Sequence, residues 1–265
     1  MQNMTHFRIW KLLLWIICIG GGGSLVLAVI LPQNLNTFNV YGIYLYLTIF
    51  LWIYLFFKKH NISFKELTIG NTRKVPWLKI GITTTLMYVL STAITVAGIL
   101  YLMYLFPSFI TDAGSGGPVV EETLLRVLIH ILLTVLTAPI VEELLFRGIL
   151  QNKLSFKYGR VIGIVLTALL FAVIHPLSML SAFIISIFLS ILYIRYQTII
   201  VPILAHVFFN FLSIIQTYGL APSSEEPAIT VPNVEALWII SGIILFLCML
   251  IIPLVYVFFV RETAR

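Results

Sequence analysis

Residues 127–150 read VLIHILLTVLTAPIVEELLFRGIL, twenty-four positions in which only Glu142, Glu143 and Arg147 carry formal charge. The run is long enough to cross about 30 Å of hydrocarbon as a helix, which takes roughly 20 residues. It nevertheless puts three charges where a spanning helix normally has none. Both the fold and the function follow from that conflict. The length says membrane, and the charges say that this membrane helix has a task beyond spanning.

The rest of the chain supports the first half of this reading. Sixty per cent of the 265 residues are hydrophobic and ten per cent are charged, against roughly 25% charged in soluble domains. Apolar runs fall at Leu12–Leu31, Tyr41–Phe57, Trp77–Phe106, Val127–Leu150, Val161–His175, Leu177–Ile194, Ile199–Ile215 and Leu237–Val260. No run shows the period-2 alternation of barrel strands, and helices are the other structure that satisfies its backbone in lipid. The expected fold is all-α: a polytopic transmembrane bundle of about eight spans, forming a single membrane-embedded domain over residues 1–265. The first run is of spanning length and has no small-residue cleavage site after it, so it reads as an uncleaved span.

Basic residues orient the bundle. With eight spans, Arg8, Lys11, Lys58, Lys59, Lys65, Arg73, Lys74, Lys79, Lys153, Lys157, Arg160, Arg195, Arg261 and Arg265 all fall on one side. Asp112, Glu121, Glu122, Glu225, Glu226 and Glu235 fall on the other. The positive-inside rule then places both termini in the cytoplasm. The net charge of +6 is spread through short gaps, without the basic stripe of a nucleic-acid binder. Cys18 and Cys248 sit singly in apolar runs and offer no CxxC pattern.

Few ionisable groups remain inside spans. Glu142, Glu143 and Arg147 lie in the fourth, His175 ends the fifth, and His206 and Asn210 lie in the seventh. Each charge costs roughly 2.5–3.5 kcal/mol at a helix centre on insertion scales, and such residues usually mark function. Glu143 and Arg147 are four apart and could neutralise each other. That pairing accounts for neither Glu142 nor the two histidines. Counting 1.5 Å per residue from Lys153, Arg160 and Arg195 puts Glu142 and His206 about 16 Å deep, His175 and Asn210 about 22 Å, and Arg147 about 9 Å. Three helices thus deliver polar groups to one layer. His6, His60 and His130 fall at or near the surfaces by the same count. Glu121-Glu122-Thr-Leu-Leu-Arg126 repeats the Glu-Glu-x-x-x-Arg spacing beside the exterior loop and reads as helix-entry acids.

The cluster suits peptide hydrolysis, which needs a base for water, donors for the oxyanion and a proton for the leaving amine. Arg147 holds Glu143 charged, leaving Glu142 as base. His206 and Asn210, four apart, present two donors on one face. These residues, Glu142-Glu143-x-x-x-Arg147, Phe171-x-x-x-His175 and His206-x-x-x-Asn210, resemble the three motifs of the CAAX protease and bacteriocin-processing family of intramembrane endopeptidases. Ala138-Pro139-Ile140 and Phe146-Arg147-Gly148 extend the likeness, and the motif-bearing core covers about 120–217. The resemblance implies that Glu142 and His175 activate water, that His206 and Asn210 stabilise the oxyanion, and that Glu143 and Arg147 shape the site.

The implied partners are membrane lipids and a peptide or lipidated protein substrate, with no nucleic acid. A bacterial plasma membrane is the expected location. No cofactor is favoured; were zinc used, its ligands would be Glu142, His175 and His206, although HExxH spacing is absent. Two rival readings are a catalytically silent immunity or scaffold protein and a proton-coupled transporter. The first has no need of both base and oxyanion donors, and the second lacks an internal repeat.

Overall fold

The computed structural model describes residues 7–30, 37–68, 75–106 and 124–219, with residue 72 and scattered positions between 235 and 250. Among the described residues every regular element is helical. In chain order these are α1 (Ile9–Trp15), α2 (Gly22–Ile30), α3 (Thr37–Lys59), α4 (Phe64–Thr68), α5 (Trp77–Leu105), α6 (Leu124–Ile131), α7 (Ala138–Glu143), α8 (Asn152–Tyr158), α9 (Arg160–Val173), α10 (Met179–Tyr196) and α11 (Ile200–Gly219). Wider π-helical turns at Ile16–Gly21, Leu132–Thr137 and Leu144–Gln151 join α1 to α2, α6 to α7 and α7 to α8.

Six stretches are long and apolar enough to cross a membrane: Ile9–Leu27, Val40–Lys59, Trp77–Leu102, Leu124–Tyr158, Met179–Tyr196 and Ile200–Tyr218. They match six of the eight expected runs. The fifth run forms the shorter apolar helix Arg160–Val173. The expected span 237–260 and the loops 114–118 and 221–232 lie wholly or mainly outside the described residues, as do Glu121 and Glu122 of the repeated acidic motif. The stretch Leu124–Tyr158, at 35 residues, would be about 50 Å long as ideal helix. That is more than a bilayer core needs, and the stretch carries Lys153 and Lys157 at its C-terminal end.

The chain divides into two compact units. The first comprises Met1–Val75, Glu122–Leu170 and Ile187–Phe211. Its core gathers Ile53 and Phe57 of α3, Phe146 and Ile149 beside α7, and Leu189 and Leu192 of α10, all essentially inaccessible. Phe7, Trp52 and Phe56 form an aromatic cluster with ring centroids 5.3–5.6 Å apart, Trp52 stacked on Phe56. The short α4 is pinned by backbone and side chain together. Ile199 N–H donates to Leu67 O at 2.9 Å, and Thr198 Oγ1 donates to Thr68 O at 3.2 Å.

Between α8 and α9, Gly159 adopts φ 87°, a left-handed conformation that stops one helix and starts the next at a steric cost only glycine avoids. Four residues on, α9 runs against α8 so closely that a Cβ on Gly163 would lie 2.5 Å from Ser155 N and 2.6 Å from Ser155 Cα. Backbone cannot yield as a flexible side chain can. Gly163→Ala is therefore expected to destabilise the protein by about 1–3 kcal/mol, read as a lowered midpoint in thermal unfolding in detergent. An unchanged midpoint would show that α8 and α9 separate freely.

The second unit comprises Pro76–Glu121, Phe171–Ser186 and Leu212–Arg265. Its α5 contains Thr83, Thr84 and Thr85, whose hydroxyls donate back to Lys79 O, Ile80 O and Gly81 O at 2.8, 2.8 and 3.0 Å. Those bonds let three polar residues sit in an apolar helix. Tyr88 donates to Gln216 Oε1 within the same unit.

Candidate active site

The fourth span carries its carboxylates on α7, a six-residue α-helical island between two π-helical turns. Pro139 opens that island. Proline has no N–H and its ring crowds the preceding turn, so a widened turn just before it relieves both constraints. Such π-helical insertions recur at functional sites, and here one lies on each side of the two carboxylates.

Glu142, Glu143, Arg147 and His206 are all buried, with Glu143 and Arg147 at 0% exposure. Charged side chains are almost never buried this fully unless paired. Here they are. Arg147 NH1 donates to Glu143 Oε1 at 2.6 Å, and His206 Nδ1 lies 2.9 Å from the same oxygen. The Arg147 pairing makes Glu143 an acceptor, so His206 Nδ1 must be the donor, and the ring presents Nε2 on its other side. Nε2 lies 3.9 Å from Glu142 Oε2, beyond hydrogen-bond length. Glu142 Oε1 accepts a 2.8 Å bond from the Tyr46 hydroxyl on α3.

Asn210 lies one turn after His206 on α11, but its side chain is engaged elsewhere. Nδ2 donates at 2.8 Å to Thr134 O, in the π-helical turn before α7. One of its two amide hydrogens is thereby spent on tying α11 to the fourth span. A second polar network follows Arg147. Asn152 Nδ2 reaches Arg147 O at 3.1 Å, Gly148 O at 2.9 Å and the Tyr193 hydroxyl at 2.9 Å. These carbonyls belong to the second π-helical turn, where Asn152 supplies them with a donor.

His175 belongs to the second unit, whereas the other five expected site residues belong to the first. Its helix ends at Val173, and His175 itself adopts φ −119°, ψ 62° ahead of Pro176, outside the helical region that proline disfavours for the residue before it. Its Nδ1 lies 2.8 Å from Phe171 O, and its ring stacks on Phe171 at 4.5 Å. A carbonyl only accepts, so Nδ1 carries the hydrogen and Nε2 presents its lone pair.

Of the zinc set, Glu142 and His206 lie in the first unit, where Glu142 Oε1 is held by Tyr46 and His206 Nδ1 by Glu143. Among the described residues no three His, Cys, Asp or Glu side chains come together as a group that could hold a metal ion. His206 Nδ1 is taken by Glu143, whose Oε1 also carries Arg147, and a dication there would face a fixed guanidinium.

Three motifs in order along the chain, with the first and third joined through Glu143, are the features against which known families can be compared. Residues 124–212 match the family model of Type II CAAX prenyl endopeptidase Rce1-like. The Rce1-like segment contains Glu142, Glu143, Arg147, His175, His206 and Asn210 and covers less than half of the chain. No curated protein and no solved structure matches the chain. Tyr46 lies outside the Rce1-like segment, and nothing in the sequence singles it out. It is one of four tyrosines in Tyr41–Phe57, ordinary composition for a membrane helix, and only its hydrogen bond to Glu142 sets it apart.

Proposed function

We propose that the protein is an intramembrane endopeptidase that hydrolyses a peptide bond of a membrane-associated or lipidated peptide, using water activated by Glu142 and His175. The observation that carries this reading is the buried hydrogen-bonded chain Arg147–Glu143–His206, set beside a second carboxylate that its hydrogen bonds do not engage. A structural ion pair would need only Glu143 and Arg147. Glu142 is held instead by a neutral phenol, which orients a carboxylate while leaving its charge and its Oε2 for chemistry.

The roles follow from the hydrogen bonds. Glu142 Oε2 takes a proton from water as the oxygen attacks the scissile carbonyl carbon, and the phenol of Tyr46 keeps the carboxylate plane in place. His175 Nε2, made an acceptor by the bond from Nδ1 to Phe171 O, takes up the second proton of the water and gives it to the departing amine, and the proton held by Glu142 follows it there, so both residues end as they began. His206 faces the anionic Glu143 through Nδ1–H; with a proton also on Nε2 it donates to the tetrahedral oxyanion, and Asn210 contributes its remaining amide hydrogen. The products are a new carboxylate and a new amine, with one water consumed. The cytoplasmic placement of both termini and a bacterial plasma membrane belong to the same proposal, supported by the one-sided distribution of lysine and arginine.

The direct test is incubation of the purified full chain, in detergent, with a library of membrane peptides that includes farnesylated C-terminal peptides. Mass spectrometry should find fragments summing to substrate plus one water. Cleavage of no peptide by a folded protein would sink the proposal.

Tyr46 supplies a finer prediction. Tyr46→Phe keeps the ring and removes one bond to a charged group, a bond of the kind worth about 1.5–3 kcal/mol. The expected result is a fall in kcat of about tenfold to a hundredfold with KM little changed. A change confined to KM would mean that Tyr46 contacts substrate instead of positioning Glu142.

A further inference from the structure

Away from the carboxylates, the first unit contains a cavity of about 520 Å³ lined by Arg8, Lys11, Trp15, Trp52, Lys59 and His60, among others. We propose that this cavity binds the phosphate-ester headgroup of an anionic membrane lipid.

Its position supports this. The first span begins at Ile9 and the second ends at Lys59, so the cavity occupies the end shared by two antiparallel helices, where hydrocarbon gives way to headgroups. Its size falls within the roughly 300–1,000 Å³ of small-ligand sites. Its charge is one-sided: three permanent cations and a histidine line it, and among the described residues no carboxylate does. Among the described residues Arg8, Lys11 and Lys59 pair with no acid; Lys11 lies instead over the Trp10 ring, 5.5 Å from its centroid.

The walls are fixed in advance of any ligand. Trp52 stacks on Phe56 and meets Phe7 edge-on. Phe56 in turn lies 4.7 Å from the His60 ring, and Trp15 Nε1 donates to Thr48 O at 3.0 Å. Generic interfacial anchoring places tryptophan and lysine at a boundary but requires no hollow between them. Here the cations line a half-open one. One to two turns deeper, Leu14, Ile17 and Leu51 are 50%, 65% and 47% exposed, apolar surface open to an acyl chain once its headgroup is seated.

The chemistry recognised is a phosphate ester, which could also come from a soluble molecule, so the test separates the sources. The full chain, purified in detergent, would be titrated with dioleoylphosphatidylglycerol, dioleoylphosphatidylcholine or sn-glycerol 3-phosphate and read by native mass spectrometry. Wild type would be compared with the triple variant Arg8→Gln/Lys11→Gln/Lys59→Gln. A control triple, Lys65→Gln/Lys157→Gln/Arg160→Gln, removes as much charge elsewhere. All six side chains are exposed, so both variants should fold, and circular dichroism verifies it.

Phosphatidylglycerol should occupy one saturable site, roughly tenfold tighter than phosphatidylcholine, and the cavity triple should lose that preference while the control triple keeps it. Binding of sn-glycerol 3-phosphate as tight as that of phosphatidylglycerol, abolished by the same triple, would uphold the phosphate site and assign it to a soluble ester. Equal retention of both lipids, or unchanged phosphatidylglycerol binding by the cavity triple, would overturn the proposal.

Discussion

Glu142→Gln is expected to lower kcat/KM for peptide cleavage by about a thousandfold while the unfolding midpoint barely moves, since general-base catalysis typically contributes 10²–10⁴-fold. The substitution is nearly isosteric. It keeps an oxygen able to accept the 2.8 Å bond from Tyr46 and removes only the capacity to take a proton. Glu142 is not part of the Arg147–Glu143 pair, so its neutralisation leaves no buried charge without a partner. Cleavage assayed beside thermal unfolding checks both halves. A variant that loses activity only in proportion to lost folded protein would make Glu142 structural.

Arg147→Met should have the opposite profile, a large effect on stability. The guanidinium is wholly inaccessible and 2.6 Å from Glu143. Methionine fills similar volume but leaves a buried carboxylate with His206 as its main remaining partner. Breaking one side of a buried pair typically costs about 3–5 kcal/mol, a large share of the stability of many whole proteins. The double variant Glu143→Gln/Arg147→Met removes both charges together and should recover a large part of that loss. Unfolding curves of the two singles and the double in detergent provide the measurement. Additive losses would show that the pair is not coupled, contrary to its geometry.

The pair was legible because two opposite charges four residues apart on an apolar run fall on one helical face, where each offsets the other. His206 and Asn210 were legible in the same way, as residues too polar for their span. What they touch was not. The link from His206 to Glu143 spans 63 positions of sequence, and the bond that occupies Asn210 ends on a backbone carbonyl, Thr134 O. That carbonyl is reached because the fourth span widens into π-helical turns. Two apolar sequences of equal hydropathy can differ in that respect with no marker except Pro139. Depth counting put Glu142 and His206 at one level by assuming an ideal rise per residue, and the 3.9 Å separation of their side chains agrees with it. Helix ends were better signalled. Pro176 stops the fifth run two residues short of its expected end at His175, and Gly159 separates α8 from α9 by its backbone conformation.

The proposed joint role of Glu142 and His175 in hydrolysis is the central claim, and a double-variant cycle on activity tests it most directly. Glu142→Gln, His175→Ala and the double variant would be assayed on one cleaved peptide under single-turnover conditions. Residues that act as a unit are grossly non-additive, so the double variant should be no slower than the slower single, within a few fold. Losses that multiply, or full activity in either single variant, would mean that the two residues do not act jointly.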